Sequence, residues 1–182
     1  MKMFAWFFVA ATLAGSVFAQ GLTNRRAPSF SLPDSNFVQH DILDYRGKWL
    51  FLEFLMTTQQ NCPSCKDITR RLDALATKYA GKLAALGIAN TPPETQDTIK
   101  AFAAELKVKV PVVFDASMVA MAYFKATPQR PAIDPGHIFA INPDGMIVQD
   151  WTAAQVIGPN FDKEVDALLT GSGKATKSKA KK

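Results

Sequence analysis

The chain has 182 residues, 48% of them hydrophobic and 20% charged, with a formal net charge of +5. Lys2 and five lysines after Thr170 supply that excess, so residues 21–170 hold 15 basic against 16 acidic residues, and overall charge is no argument for nucleic-acid binding. Two cysteines in all exclude a four-cysteine zinc site.

Residues 1–19 have the pattern of a secretory signal. Lys2 gives the positive start, residues 4–13 the apolar core, and Val17-Phe18-Ala19 a small-x-small cleavage site before Gln20. The apolar run is too short to span a bilayer. Export would place the mature chain in an oxidising compartment such as a periplasm, or outside the cell. Residues 171–182 are low in complexity and carry no large apolar side chain, so a disordered lysine-rich tail is expected there. Residues 20–170 remain, enough for one domain with a substantial core.

Residues 25–34 read as extended, with Phe30 and Leu32 alternating against polar neighbours. Residues 41–47 read as a polar turn with Leu43 and Tyr45 inward. Residues 49–55 form an apolar run with a single acid, Glu53, and predict a buried strand. A short polar segment then leads to Cys62-Pro63-Ser64-Cys65. After it Ile68, Leu72, Leu75 and Tyr79 recur at helical spacing, predicting a helix over 63–80 that stops at Gly81. Pro63 suits a first helical turn, where its missing N–H has no partner to lose. The cysteines thus stand where a strand hands over to a helix N-terminus, a place that favours thiolate over thiol.

Residues 82–90 predict a second core strand, and 94–106 an amphipathic helix with Ile99, Phe102, Ala103 and Leu106 inward. Residues 110–115 predict a strand and 117–124 a short helix. The segment 126–136 is turn-rich, with prolines at 128, 131 and 135. Residues 137–141 and 146–151 predict two strands joined through Asn142-Pro-Asp-Gly145 as a tight hairpin, and residues 161–169 a last helix. Strands alternating with helices predict an α/β fold, a central mixed sheet with helices on both faces.

A pair of cysteines three apart closes a very small loop, so its stabilisation as a mere staple is modest. Redox use is the better account of the pair, with metal binding and an inert disulfide as the alternatives.

The order Ala-Pro-Ser-Phe-Ser-Leu, Tyr-Arg-Gly-Lys, apolar strand, CxxC and Ile-Phe-Ala-Ile-Asn-Pro-Asp-Gly resembles the AhpC/TSA–TlpA-like (redoxin) branch of the thioredoxin superfamily over residues 27–169. The resemblance implies a thioredoxin-like fold and a thiol–disulfide oxidoreductase. Cys62 would be the exposed nucleophile and Cys65 the buried resolving cysteine. Glu53 would accept or deliver the Cys65 proton. Pro135, as the cis-proline before the strand facing the motif, and Pro63 would bind substrate. The implied partners are protein or small-molecule disulfides and thiols, met by a monomer with no cofactor, no nucleic acid and no stable membrane insertion after signal cleavage.

The chain departs from its relatives at three points. Asn61 stands where thioredoxins carry tryptophan, after a longer Thr57-Thr-Gln-Gln-Asn segment. The motif dipeptide is Pro-Ser, as in glutaredoxin-type and oxidase-type motifs. The peroxiredoxin signature PxxxTxxC is broken: Gln59 is three residues before Cys62, the proline is absent, and Arg130 matches the peroxide-holding arginine only by loose analogy. A peroxiredoxin-like peroxidase is therefore one alternative. A Sco-type copper protein using Cys62, Cys65 and His137 is the other, since thiolates with an imidazole suit copper.

Overall fold

The computed structural model describes residues 21–171, apart from 59, 91, 92, 117, 128 and 130–132. The expected signal segment, nearly all of the lysine-rich tail, Gln59 and Arg130 lie outside the described residues.

A six-stranded mixed sheet organises the chain. Its strands are β1 (Arg25–Arg26), β4 (Trp49–Leu55), β5 (Leu83–Asn90), β6 (Val112–Asp115), β7 (His137–Ile141) and β8 (Met146–Trp151), in the order β1-β8-β7-β4-β5-β6. β4 is central, parallel to β5 and antiparallel to β7. A strand covered on both faces can be apolar throughout, and from Leu50 to Leu55 every residue of β4 is buried. A small hairpin of β2 (Ser31–Pro33) and β3 (Gln39–Asp41) forms a second sheet, joined to β6 by a bridge between Asp34 and Val113.

The two faces of β4 meet different layers. Leu50, Leu52 and Phe54 pack with Leu86, Ile88, Phe139 and helix α3 (Met118–Phe124), through Val119, Ala120 and Tyr123. Phe51 faces the other way, into helix α1 (Cys65–Lys78) and helices α4 (Ala153–Ile157) and α5 (Phe161–Thr170). Leu55, on that same side, joins the cysteines and helix α2 (Gln96–Leu106) through Ile99, Phe102 and Leu106. Arg71 ties the helical layer together: its guanidinium donates to Asp162 at 3.0 Å and to the Val156 carbonyl at 2.5 Å, and lies 5.1 Å from the centre of the Phe161 ring. Among the described residues no helix is long and apolar enough to cross a membrane.

Three expectations are corrected. α1 begins at Cys65 rather than at residue 63, because its first helical hydrogen bond runs from the Ile68 N–H to the Ser64 carbonyl at 2.9 Å, which makes Ser64 the N-cap. Pro63 therefore precedes the helix. In the turn 41–47, a 3-10 segment (Ile42–Tyr45) sends Ile42 and Tyr45 toward the core, whereas Leu43 is 60% exposed. The stretch 25–34 is not one extended run, since β1 joins the main sheet and β2 folds into the hairpin with β3.

Candidate functional site

β4 carries the chain to the C-terminal edge of the sheet, and the segment beyond it is fastened before it reaches the cysteines. The Thr57 N–H donates to Glu94 Oε1 at 2.8 Å, and the hydroxyls of Thr57 and Thr98 both donate to Glu94 Oε2. Glu94 is buried at the approach to α2, and its oxygens are satisfied by donors from the segment after β4 and from α2. The N–H groups of Asn61 and Cys62 then both donate to the Thr58 carbonyl. That turn places Cys62 ahead of the first helical residue, Cys65. The two sulfurs are bonded, with the Cα atoms 5.5 Å apart. When the bond is opened, the unpaired backbone N–H groups at the start of α1 favour a thiolate there.

Glu53 lies on the face of β4 that meets α1 and is fully buried. Its Oε2 is 2.8 Å from the Thr69 hydroxyl, which is also 2.9 Å from the Cys65 carbonyl. Its Oε1 has no partner among the described residues. Burial pushes the Glu53 carboxyl up to about 8, and the Thr69 hydrogen bond offsets only part of that rise. A carboxyl of this kind can exchange a proton near neutral pH without leaving the protein interior.

Cys62 was expected to be exposed, but in the bonded pair it is only 3% exposed and Cys65 is fully buried. The cover comes from the segment ahead of β7. A Cβ built on Gly136 would lie 3.6 Å from Cys62 Sγ, 3.0 Å from Ala153 Cβ and 2.9 Å from Ile68 Cδ1. Gly136 also has φ +83 and donates its N–H to the Phe54 carbonyl at 2.6 Å. Glycine is required here twice over, by conformation and by space. Pro135, the residue before Gly136, lines a cavity of about 170 Å³ with Phe54, Leu55, Met56, Ile88, Asn90 and Ile133. Pro63 is exposed beside Cys62.

His137 does not join the cysteines. Its Nδ1 faces Asp134 at 3.2 Å, its Nε2 faces Asp150 at 3.0 Å, and its ring packs against Phe124 and Phe139. Among the described residues no three of His, Cys, Asp or Glu gather into a group that could hold a metal ion. The copper set is thus not assembled.

Residues 23–150 match the family model for the AhpC/TSA family. The chain belongs to the AhpC/TSA family. No curated protein matches it. Among solved structures, this AhpC/TSA member is similar to a hypothetical protein from Sinorhizobium meliloti 1021, at 24% identity and TM-score 0.66, over 82% of this chain and 85% of that one. It is also similar to the thioredoxin domain of a thiol-disulfide oxidoreductase from Bacteroides vulgatus, at 18% identity and TM-score 0.63, over 81% and 97%. A thioredoxin-family thiol:disulfide interchange protein from Chlorobium tepidum TLS matches at 18% identity and TM-score 0.63, over 80% and 96%. The fold is thioredoxin-like.

Sequence reasoning missed Thr69, Glu94 and Gly136. Thr69 had a signal: it is a polar residue four after Cys65, beside the inward stripe of Ile68 and Leu72. Glu94 and Gly136 had none, because their partners lie far away in the chain.

Proposed function

We propose that this chain is an exported thiol–disulfide oxidoreductase working through its Cys62-Pro63-Ser64-Cys65 motif. The Cys62 thiolate attacks one sulfur of a partner disulfide, and the partner's other sulfur leaves with the bonding electrons. The resulting mixed disulfide is opened when Cys65 gives its proton to Glu53 and attacks Cys62 Sγ, releasing the partner as a dithiol. The partner is reduced by two electrons while the pair is oxidised to its disulfide, and the same path runs in reverse. The substrates are disulfides or thiols of proteins or small molecules. Pro63, exposed and next to Cys62 in the chain, and Pro135, next to Gly136, which lies against Cys62 Sγ, are the residues assigned to hold the partner.

The observation that carries this reading is the bonded pair at the start of α1 with a buried carboxyl on the neighbouring strand. The likeness to the Bacteroides vulgatus thiol-disulfide oxidoreductase domain and the Chlorobium tepidum thiol:disulfide interchange protein supports it. Cys65→Ser is expected to accumulate mixed disulfides, because no thiol remains to resolve them, and Cys62→Ser to lose exchange altogether. Non-reducing gels and an insulin-reduction assay distinguish the two. Equal trapping by both variants, or exchange surviving in Cys62→Ser, would overturn the roles.

Export rests on Lys2, the apolar residues 4–13 and the small residues before Gln20. The mature chain is expected to begin at Gln20, which the intact mass of envelope-purified protein checks. A retained 4–13 segment would contradict it.

A further inference from the structure

The Thr69 hydroxyl has one proton and two acceptors within reach, the Cys65 carbonyl at 2.9 Å and Glu53 Oε2 at 2.8 Å. It can serve one of them at a time. The Cys65 carbonyl does not depend on it, since in an α-helix that oxygen also receives the backbone N–H four residues on. Nor does Thr69 need Glu53, because bonding back to the carbonyl four residues earlier satisfies a buried threonine by itself. Glu53 is the group with the need. It is fully buried, its Oε1 is bare, and Thr69 is the only donor to its carboxyl among the described residues.

We propose that Thr69 is a positioning residue for the proton step, its hydroxyl turning between the Cys65 carbonyl and the Glu53 carboxylate as Glu53 gains and loses its proton. This inference rests on the oxidoreductase reading above. With Glu53 protonated, the carboxyl O–H donates to Thr69 Oγ1 and the hydroxyl donates to the Cys65 carbonyl. With Glu53 ionised, the hydroxyl rotates and donates to Oε2. The rotation moves one hydrogen and no heavy atom, so it suits a close-packed interior.

In the resolving step the Cys65 proton passes to Glu53, and the sulfur's electron pair forms the new bond to Cys62 Sγ. The partner sulfur departs with the electrons of the broken bond. Thr69 keeps its own proton and is neither oxidised nor reduced. Its contribution is to keep ionised Glu53 available at the pH where Cys65 must lose its proton.

The test compares Thr69→Val, which removes the hydroxyl at nearly constant volume, with Thr69→Ser, which keeps it, and Glu53→Gln. The four glutamates are labelled with ¹³C in the oxidised full chain, and the Glu53 carboxyl is titrated by NMR, assigned by its absence in Glu53→Gln. Thr69→Val is expected to raise the Glu53 midpoint by about one pH unit or more, since hydrogen bonds to charged groups are the strong ones. Thr69→Ser should stay within about a third of that shift. The rate of escape from a mixed disulfide, measured against pH, should move by the same interval. Below the midpoint that is about tenfold slower for each unit.

Thr69→Ala is a second hydroxyl-free variant should valine pack badly, and it is expected to shift the same way. An unchanged midpoint in both hydroxyl-free variants, or equal shifts in Thr69→Val and Thr69→Ser, would overturn the role of Thr69 alone. An escape rate whose pH profile survives Glu53→Gln would overturn the role of Glu53 and this inference with it.

Discussion

At His137 both ring nitrogens face carboxylates, Asp134 at 3.2 Å and Asp150 at 3.0 Å, while Phe124 and Phe139 pack on the ring. Truncating such a buried side chain removes packing and leaves the two acids without their partner. His137→Ala is therefore expected to lower stability by about 2–4 kcal/mol. Disulfide exchange should remain within a few-fold, since neither cysteine depends on the ring. Urea unfolding and insulin reduction read the two effects separately, beside a Cu(I) competition titration. Tight copper binding lost on His137→Ala, with negligible exchange in the unmodified protein, would falsify the oxidoreductase reading. His137 was legible as a residue near the motif, but its partners were not. Asp134 is close in sequence, whereas Asp150, the register partner of Phe139, is brought within reach only by the pairing of β7 with β8. The burial of Cys62 was equally hidden, because it is covered by residues distant in the chain, Gly136 and the clustered Ala89, Ile99 and Phe102.

Among the elements, those with a strong period were legible and those held by a few polar contacts were not. β4, β5 and α2 lie within a residue or two of their expected bounds, since each has three or more buried apolar residues at its own period. The Asn142-Pro-Asp-Gly145 hairpin was legible through its turn chemistry. The Asn142 side chain accepts from the N–H groups of Asp144 and Met146, and Gly145 takes φ +80. α4 was missed. It is five residues long and buries only Val156, too little for a periodic signal. Its start was nevertheless written in the sequence, because Thr152 and Gln155 form a reciprocal capping box. The β2–β3 hairpin was also missed. It is held by Asp34, whose Oδ1 accepts from the N–H groups of Asn36 and Val38 while His40 lies 3.2 Å from its Oδ2. Such a hub is made by one side chain and leaves no trace in hydrophobic periodicity. α4 matters to the site all the same, since Ala153 packs against Gly136, which in turn lies against Cys62.

For the whole molecule, the site at Glu53 reduces stability. A carboxyl held at about 8 in the folded protein ionises near 4.5 when the chain unfolds. Below pH 4.5 it is protonated in both states and has no effect on the balance. Between pH 4.5 and 8 the folded state keeps a proton that the unfolded state has released, so stability falls as pH rises. Above 8 both states are ionised and the loss is complete. The slope approaches 1.4 kcal/mol per pH unit inside that window, or a few kcal/mol across it. Asp34 and Asp166 are shifted the other way, by hydrogen bonds from neighbouring groups, so their contributions fall below the ordinary carboxylate range and outside this window. The comparison with Glu53→Gln cancels every titration the two proteins share. The variant is expected to match the unmodified protein near pH 4.5 and to exceed its stability by a few kcal/mol at pH 8. Urea unfolding of both oxidised proteins at pH 5, 6.5 and 8 checks this. Parallel stability curves across the three values would mean that Glu53 is not held protonated inside the fold. The same raised pKa governs both effects: between pH 4.5 and 8 the fold loses stability against an unfolded chain that is already ionised, while the ionised fraction of folded Glu53 able to take the Cys65 proton grows, so stability and exchange should change in opposite directions over one pH interval.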